Sequence, residues 1–365
     1  MNFSIAFITT EEILGGGETN LLLVGAEFKE KGINTLIIAP NLLYKLGIER
    51  GLNMYKLDSY NKYWLSGLDL IPNDKYVQKL TKILDKYDFV HAYNSNALTL
   101  AKFTKAKLIY TCHGPWEISN SRKAKKIVKY TDRIITVSKI VQKSLFKLKI
   151  KAEIIPLGYE PKLSAKNFNL KVSRSFINGN KLNILCLARF QPIKGQLILI
   201  FSLIFLLLKR NDLRKKISIV FAGKAYENKD YIYFILTKFM SKILKILGAK
   251  VEFLGYVKNI SNLFQDTDIV VIPSRYESFS MVCLESLYFG KPIIFPTNTA
   301  CGEILNKKIY GESFINGSIK SLCNAIEKTF KNNLFGSPGQ LRNRSLKYNI
   351  SNQVKKMIYL YNNIN

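Results

Sequence analysis

The chain has 365 residues, 47% of them apolar and 22% charged, which excludes a disordered protein and leaves room for two domains with a core each. Lys and Arg number 55 against 26 Asp and Glu, a formal net charge of +29, which implies an anionic partner: a nucleotide, a phosphorylated lipid, an acidic glycan or a nucleic acid. Five cysteines without ligand spacing (Cys112, Cys186, Cys283, Cys301, Cys323) and two histidines argue against a disulfide framework and a histidine-rich metal site, and place the chain in a reducing, cytoplasmic compartment.

The first run, Phe3–Ile8, has no cationic lead and no small-residue cleavage site, and reads as a β-strand instead of a signal peptide. Gly15-Gly16-Gly17 follows, ahead of a helix predicted over Glu18–Lys31. Consecutive glycines before a helix N-terminus let backbone N–H groups approach a phosphate or hydroxyl closely. Taken alone, without the GxGxxG spacing, they are read as a flexible loop. Further strands are predicted at Thr35–Ala39, Phe89–Ala92, Leu108–Thr111 and Arg133–Val137, and a helix at Lys139–Leu148. His91 lies within a strand and is read as structural, whereas His113, in TCHGPWE, ends one and precedes Gly114-Pro115. The basic stretch Arg122–Tyr130 is either a patch for an anionic membrane surface or a solvated helix face.

Gly158–Lys181 is polar and aperiodic, as a linker would be. Beyond it, strands are predicted at Asn183–Leu187, Ser218–Ala222, Val251–Leu254, Ile269–Ile272 and Pro292–Phe295. In LCLARFQPIKGQ, Arg189 and Lys194 follow a strand and precede a helix. Two such cations can clamp a diphosphate, although by themselves they are read as a basic surface loop. The longest apolar stretch, Leu197–Leu208, is shorter than the roughly 20 residues of a bilayer span. It is read as a core helix, with an interfacial segment as the alternative. DIVVIPSRYESFSMVCLESLYFGKPIIF then gives strand, polar loop, helix Met281–Phe289 and second strand, with Glu277 in the loop and Glu285 within the helix. A last helix is predicted over Asn352–Tyr361. Alternating strands and helices of this kind make an α/β protein of two Rossmann-like domains facing across a cleft at the carboxyl ends of their sheets. The expected domains are 1–165, 166–350 and a C-terminal helix, 351–365, packing back on the first.

The last βαβ unit resembles the signature of retaining glycosyltransferases of family 4, which have the GT-B fold: seven residues separate Glu277 and Glu285, as in the family. Ala188-Arg189 with Lys194-Gly195 is similar to its Arg…Lys-Gly loop. The N-terminal glycine loop, TVSK at Thr136–Lys139, IIPLGYE at Ile154–Glu160 and VEFLGYV at Val251–Val257 match in order. Departures are Ser278 and Ser280, where glycines are common around Phe279, and Cys301-Gly302-Glu303 in place of a more glycine-rich loop.

The resemblance implies transfer of a sugar from a nucleotide-diphosphate donor to a glycan or lipid-linked acceptor, with retained anomeric configuration, in cell-envelope polysaccharide or glycolipid synthesis. It implies that Arg189 and Lys194 bind the diphosphate, Glu277 the sugar hydroxyls and Glu285 the ribose, and that Gly16 and Phe279 belong to the donor site. His113 would lie near the donor sugar, completing a catalytic set with Glu277, Arg189 and Lys194. No cofactor and no metal is expected. Asp266-Thr267-Asp268 resembles the metal-binding DxD of another glycosyltransferase fold, but it precedes a buried strand and reads as strand entry. Alternatives are a nucleotide-sugar epimerase or phosphorylase on the same fold and, from another class, a basic nucleic-acid-binding protein. The latter is disfavoured because the basic residues spread over both halves without a recognition pattern. The expected location is cytoplasmic, at the inner face of the plasma membrane, with peripheral contact to anionic lipid.

Overall fold

The computed structural model describes residues 3–57, 75–118, 121–160, 181–331 and 335–364. It comprises two compact units, residues 1–160 with 348–365, and residues 161–347. The boundary expected at 165 lies outside the described residues, as does most of the expected linker.

The first unit runs β1 (Ser4–Ile8), α1 (Gly16–Glu30), β2 (Asn34–Ala39), α2 (Asn41–Glu49), β3 (Met54–Lys56), α3 (Lys75–Leu84), β4 (Phe89–Ala92), α4 (Ser95–Ala101), β5 (Lys107–Cys112), α5 (Ser121–Tyr130), β6 (Arg133–Thr136), α6 (Lys139–Phe146) and β7 (Glu153–Ile154). Its strands form one seven-stranded parallel sheet in the order β3-β2-β1-β4-β5-β6-β7. The central strands are continuous apolar runs because helices cover both faces of such a sheet. Ile5, Phe7, Ile37 and Ile109 are fully buried among Leu21, Val24 and Phe28 of α1. Local caps mark the helix starts: the Asn94 side chain accepts from Ala97 N–H at α4, and Ser138 Oγ accepts from Val141 N–H at α6.

The second unit runs β8 (Leu182–Leu187), α7 (Gln196–Lys209), β9 (Ile217–Ala222), α8 (Asn228–Ile246), β10 (Lys250–Gly255), α9 (Ser261–Gln265), β11 (Ile269–Val271), α10 (Met281–Tyr288), β12 (Ile293–Pro296), α11 (Cys301–Leu305), β13 (Gly311–Phe314), α12 (Ile319–Lys331) and α13 (Pro338–Leu346). Its six-stranded parallel sheet has the order β10-β9-β8-β11-β12-β13. Leu199, Leu203 and Leu206 of α7 pack onto Ile184, Ile219 and Phe221, so the stretch Leu197–Leu208 is a core helix along that face. The Asp268 carboxylate accepts from Asn183 N–H at 2.7 Å and so ties the entry of β11 to β8. All five cysteines are free and buried.

The chain then returns to the first unit as α14 (Ile350–Asn362), whose Val354, Met357, Ile358 and Tyr361 complete the first core. A buried amide network fixes this return. Asn20 Nδ2 donates to Gly158 O at 2.9 Å and to Gln353 Oε1 at 2.7 Å; Gln353 Nε2 donates back to Asn20 Oδ1 at 3.0 Å, and Gly158 N–H also reaches Gln353 Oε1. Gly158, expected to open the linker, is thus part of the first unit. Its backbone groups are buried and must find partners. Gln353→Ala would strand Asn20 and the Gly158 N–H, each costing about 1–3 kcal/mol. Chemical denaturation should show that loss in the transition of the first unit; a change below about 0.5 kcal/mol would mean that the network contributes little.

Candidate functional site

In each sheet the order of strands reverses once. Connections from β8 run outward through β9 to β10, and those from β11 run the other way through β12 to β13. The crevice at the carboxyl ends of β8 and β11 is therefore a topological switch point, where open α/β sheets bind ligands. In the first unit the same reversal falls between β1 and β4.

The loop after β8 carries Arg189 and Lys194; the loop after β11 carries Glu277 and Phe279. The fold brings two of these together: Lys194 Nζ donates to Glu277 Oε1 at 2.7 Å, in a pair whose side chains are only 22% and 11% exposed. Backbone bonds hold both loops. Arg275 N–H donates to Ile193 O at 2.8 Å, and Ala300 N–H donates to Glu277 O at 3.0 Å. Gln196, buried at the start of α7, donates to Arg189 O at 2.8 Å, and the half-buried Arg189 leaves the sheet at this point. Gly195 has φ +70, the left-handed region that favours glycine, and a Cβ there would drive into the Pro273 carbonyl. The turn that presents Lys194 therefore needs this glycine.

Glu285 lies in the second turn of α10 and Phe279 just ahead of its Ser280 cap; both are half-buried. Asn316, which the sequence reading missed, donates from its side chain to Arg275 O at 2.7 Å and braces the same loop. A cation and a carboxylate side by side at a switch point can meet, respectively, a phosphate and a polyol hydroxyl.

In the first unit, Gly16 opens α1 in the loop after β1. Glu18 accepts from Gly15 N–H at 3.0 Å and fixes the turn. His113, after β5, lies against the neighbouring glycine: a Cβ on Gly17 would come 3.4 Å from His113 Cε1. Burial pushes the His113 imidazole down to about 4, so the ring is neutral at physiological pH. Its Nε2 is buried and has no hydrogen-bond partner among the described residues. An unpaired buried ring nitrogen is costly, and a ligand hydroxyl would satisfy it. His91 has no such vacancy. Its Nδ1 meets Tyr361 OH at 2.7 Å and its Nε2 meets Thr111 Oγ1 at 2.6 Å, so it is a core residue.

Glu117 is a site-associated residue that the sequence reading passed over. Its carboxyl accepts from His113 N–H at 2.7 Å, from Ser95 N–H at 2.9 Å and from Tyr110 OH at 2.9 Å. Burial pushes it up to about 7 in spite of those bonds and the nearby Lys123. An acid four residues after the histidine, in a strand-end loop, was the available signal. Nothing in the spacing says that it is buried.

The profile of Glycosyl transferases group 1 matches residues 168–356, and that of Glycosyltransferase Family 4 matches residues 14–163. A 41.2 kDa protein of the cps region of Klebsiella pneumoniae is 25% identical over 255 residues, 62% of this chain and 65% of its own length. The UDP-Gal:alpha-D-GlcNAc-diphosphoundecaprenol alpha-1,3-galactosyltransferase of Escherichia coli is 25% identical over 330 residues, covering 80% of each chain. Among solved structures, Anabaena HepE in complex with UDP and glucose superposes with a TM-score of 0.79 at 18% identity, covering 98% of this chain and 99% of that one.

The buried groups of the first unit give a pH dependence whose sign can be worked out. His91 (about 3) and His113 (about 4) are held below their ordinary 6.5, so their stability is present above pH 6.5 and is lost as pH falls. Glu117, raised from 4.5 to about 7, acts the other way: its contribution is present below pH 4.5 and is lost as pH rises through 7. Around pH 5–6 the unfolded chain binds two histidine protons and the folded chain one glutamate proton. Acidification should then cost about 1.4 kcal/mol per pH unit in wild type and about 2.7 in Glu117→Gln. Urea titrations across this range check the slopes; equal slopes in the two proteins would contradict the assignment.

Proposed function

The chain belongs to the group 1 glycosyltransferases and has the GT-B fold, and from that premise we propose that it transfers a sugar from a nucleoside-diphosphate sugar to a lipid-linked or glycan acceptor, retaining the anomeric configuration. The observation that carries this reading is the Lys194–Glu277 pair at the β8/β11 switch point. A bound nucleotide diphosphate and glucose in HepE, and a diphosphoundecaprenol-linked acceptor in the Escherichia coli relative, support the donor and acceptor classes. Synthesis of a cell-envelope glycan is the process in which such a reaction belongs.

Breaking a sugar–phosphate bond builds positive charge on the anomeric carbon and negative charge on the departing diphosphate. Fixed cations facing that charge lower the barrier because they are oriented before the reaction begins. In this reading Lys194 and Arg189 take the diphosphate oxygens, aided by the backbone N–H groups at the start of α7. Glu277, already aligned by Lys194, accepts from sugar hydroxyls beside the reacting carbon. Glu285 accepts from the ribose, and Phe279 packs in the same loop. Gly16 leaves the α1 N-terminus open to the phosphates and acceptor. His113, neutral and with no partner for Nε2 among the described residues, takes a donor-sugar hydroxyl. With cations supplied by the chain, the scheme needs no divalent ion.

Purified protein should deplete a UDP-sugar in the presence of a prenyl-diphosphate-sugar acceptor and give a product whose anomeric coupling by NMR matches that of the donor. EDTA should leave the rate unchanged. Lys194→Ala should lower kcat about 100-fold or more, equivalent to about 2.7 kcal/mol of barrier. Glu285→Ala should weaken nucleotide binding about tenfold with a smaller effect on kcat. An inverted product, or full activity in Lys194→Ala, would overturn this mechanism.

A further inference from the structure

Helix α8 is apolar on both faces. Its inward face carries Asp230, Tyr233, Thr237, Ser241 and Leu244, all buried, with Phe234 and Met240 packed against the same core, and its outward face carries a second set of large apolar groups. Ile232 is 69% exposed, Ile235 65%, Phe239 61% and Ile246 83%, with Leu236 and Ile243 also exposed. At 100° per residue these six occupy an arc about 100° wide, nearly opposite the buried stripe. Lys238, Lys242 and Lys245 recur at spacings of four and three and line one edge of that arc, all exposed.

The neighbouring helix extends the surface. β8–α7–β9 and β9–α8–β10 are successive crossovers in the same direction, so their right-handedness puts both helices on one face of the sheet, where they pack together. Phe201, Phe205 and Leu208 of α7 are exposed on the side away from its core contacts. Monomeric soluble proteins rarely expose apolar patches beyond about a few hundred Å², and larger ones mark a docking face.

We propose that the outer faces of α7 and α8 dock this chain on an anionic lipid bilayer, with α8 lying in the interfacial plane. Charge complementarity selects this occupant. An apolar arc edged with lysines matches hydrocarbon below and lipid phosphate beside it, the lysine stems lying along the apolar surface while the ammonium groups reach the headgroups. A second copy would bring the same lysine edge and the same net charge of +29, and would be repelled. No helix among the described residues is long and apolar enough to cross a membrane, so the contact is peripheral. The other basic candidate, α5, buries Ala124 and Ile127 and turns Arg122, Lys125 and Lys129 outward, but beside them it exposes Val128 and no apolar arc like that of α8. The inference stands independently of the sugar-transfer reading.

The full chain is tested by co-sedimentation with vesicles of phosphatidylcholine and phosphatidylglycerol and with vesicles of phosphatidylcholine alone. Wild type should bind the anionic vesicles, and added salt should weaken binding. A triple variant, Ile232→Ser, Ile235→Ser and Phe239→Ser, should lose about tenfold or more in partitioning. Lys238→Gln, Lys242→Gln and Lys245→Gln together should abolish the preference for anionic lipid. Because all six positions are exposed, thermal midpoints and the shift on adding UDP should match wild type. The proposal is overturned if wild type leaves both vesicles unbound, or if the serine variant binds as well as wild type. It is equally overturned if Lys125→Gln with Lys126→Gln abolishes binding while the α8 variants retain it. A concentration-dependent dimer that the serine substitutions dissolve, without vesicle binding by wild type, would identify a second copy as the occupant instead.

Discussion

The second unit is organised around one ion pair, Lys194 with Glu277, held where the strand order reverses. The pair is not free to form anywhere else. Lys194 is presented by a turn that ends in left-handed Gly195, pressed against the Pro273 carbonyl, and Glu277 is placed by the backbone bond from Ala300 to its own carbonyl. Each charge is the main compensation for the other's partial desolvation, and removing one partner leaves the second poorly hydrated. A ligand that enters must therefore supply both an anion for the lysine and donors for the carboxylate. A glycosyl diphosphate carries both in one molecule, whereas a nucleic-acid backbone supplies phosphate without the dense hydroxyls of a sugar.

In the first unit two histidines with ring nitrogens out of water differ in their hydrogen-bond partners. His91 and His113 are both pushed down by desolvation and both stay neutral. His91 has each ring nitrogen matched, to Tyr361 and Thr111, and its cost of burial is offset within the core. His113 keeps Nε2 buried without a partner among the described residues, beside glycines that bring no side chain of their own. Its backbone is held by Glu117, which also accepts from Ser95 and Tyr110 and so locks the loop after β5 to α4 and the strand beneath it. The orphaned nitrogen is then a fixed feature of the loop, not a consequence of loose packing.

Much of this was legible from the residues. The strand Phe89–Ala92 was readable to its ends, and Ser4–Ile8, Lys107–Cys112 and Leu182–Leu187 within a residue at either end, because buried parallel strands are written as short apolar runs. The three strands without a visible signal, Met54–Lys56, Glu153–Ile154 and Gly311–Phe314, are all edge strands of two to four residues. One side of an edge strand faces away from the sheet, and at that length no pattern accumulates. The loop cations and the two glutamates stood out by spacing, but which cation would meet which acid did not. That contact joins residues 83 positions apart and depends on the order of strands in the sheet. Glu117 was hidden for a related reason: its environment is made by Ser95, Tyr110 and the His113 backbone, none of which its own sequence neighbourhood reveals.

Helix α8 was hidden differently, since apolar residues on both of its faces erase the period that marks one buried stripe. Its outward lysines and the pair at the switch point are both anion-seeking, but they work in different physical regimes. Lys194 is mostly enclosed, has a carboxylate partner at 2.7 Å and is presented by a rigid turn, so its field is screened little by salt. The lysines of α8 are exposed, and beyond about 8 Å in physiological salt their attraction to a charged surface is largely gone. A face of that kind becomes effective only when many weak contacts act together with apolar insertion, which is how a planar, multivalent partner differs from a small ligand. On the two proposals above, the large positive charge of this chain divides into two devices instead of one uniform field: Lys194 with Arg189 to meet a molecule, and an exposed lysine margin to meet a surface.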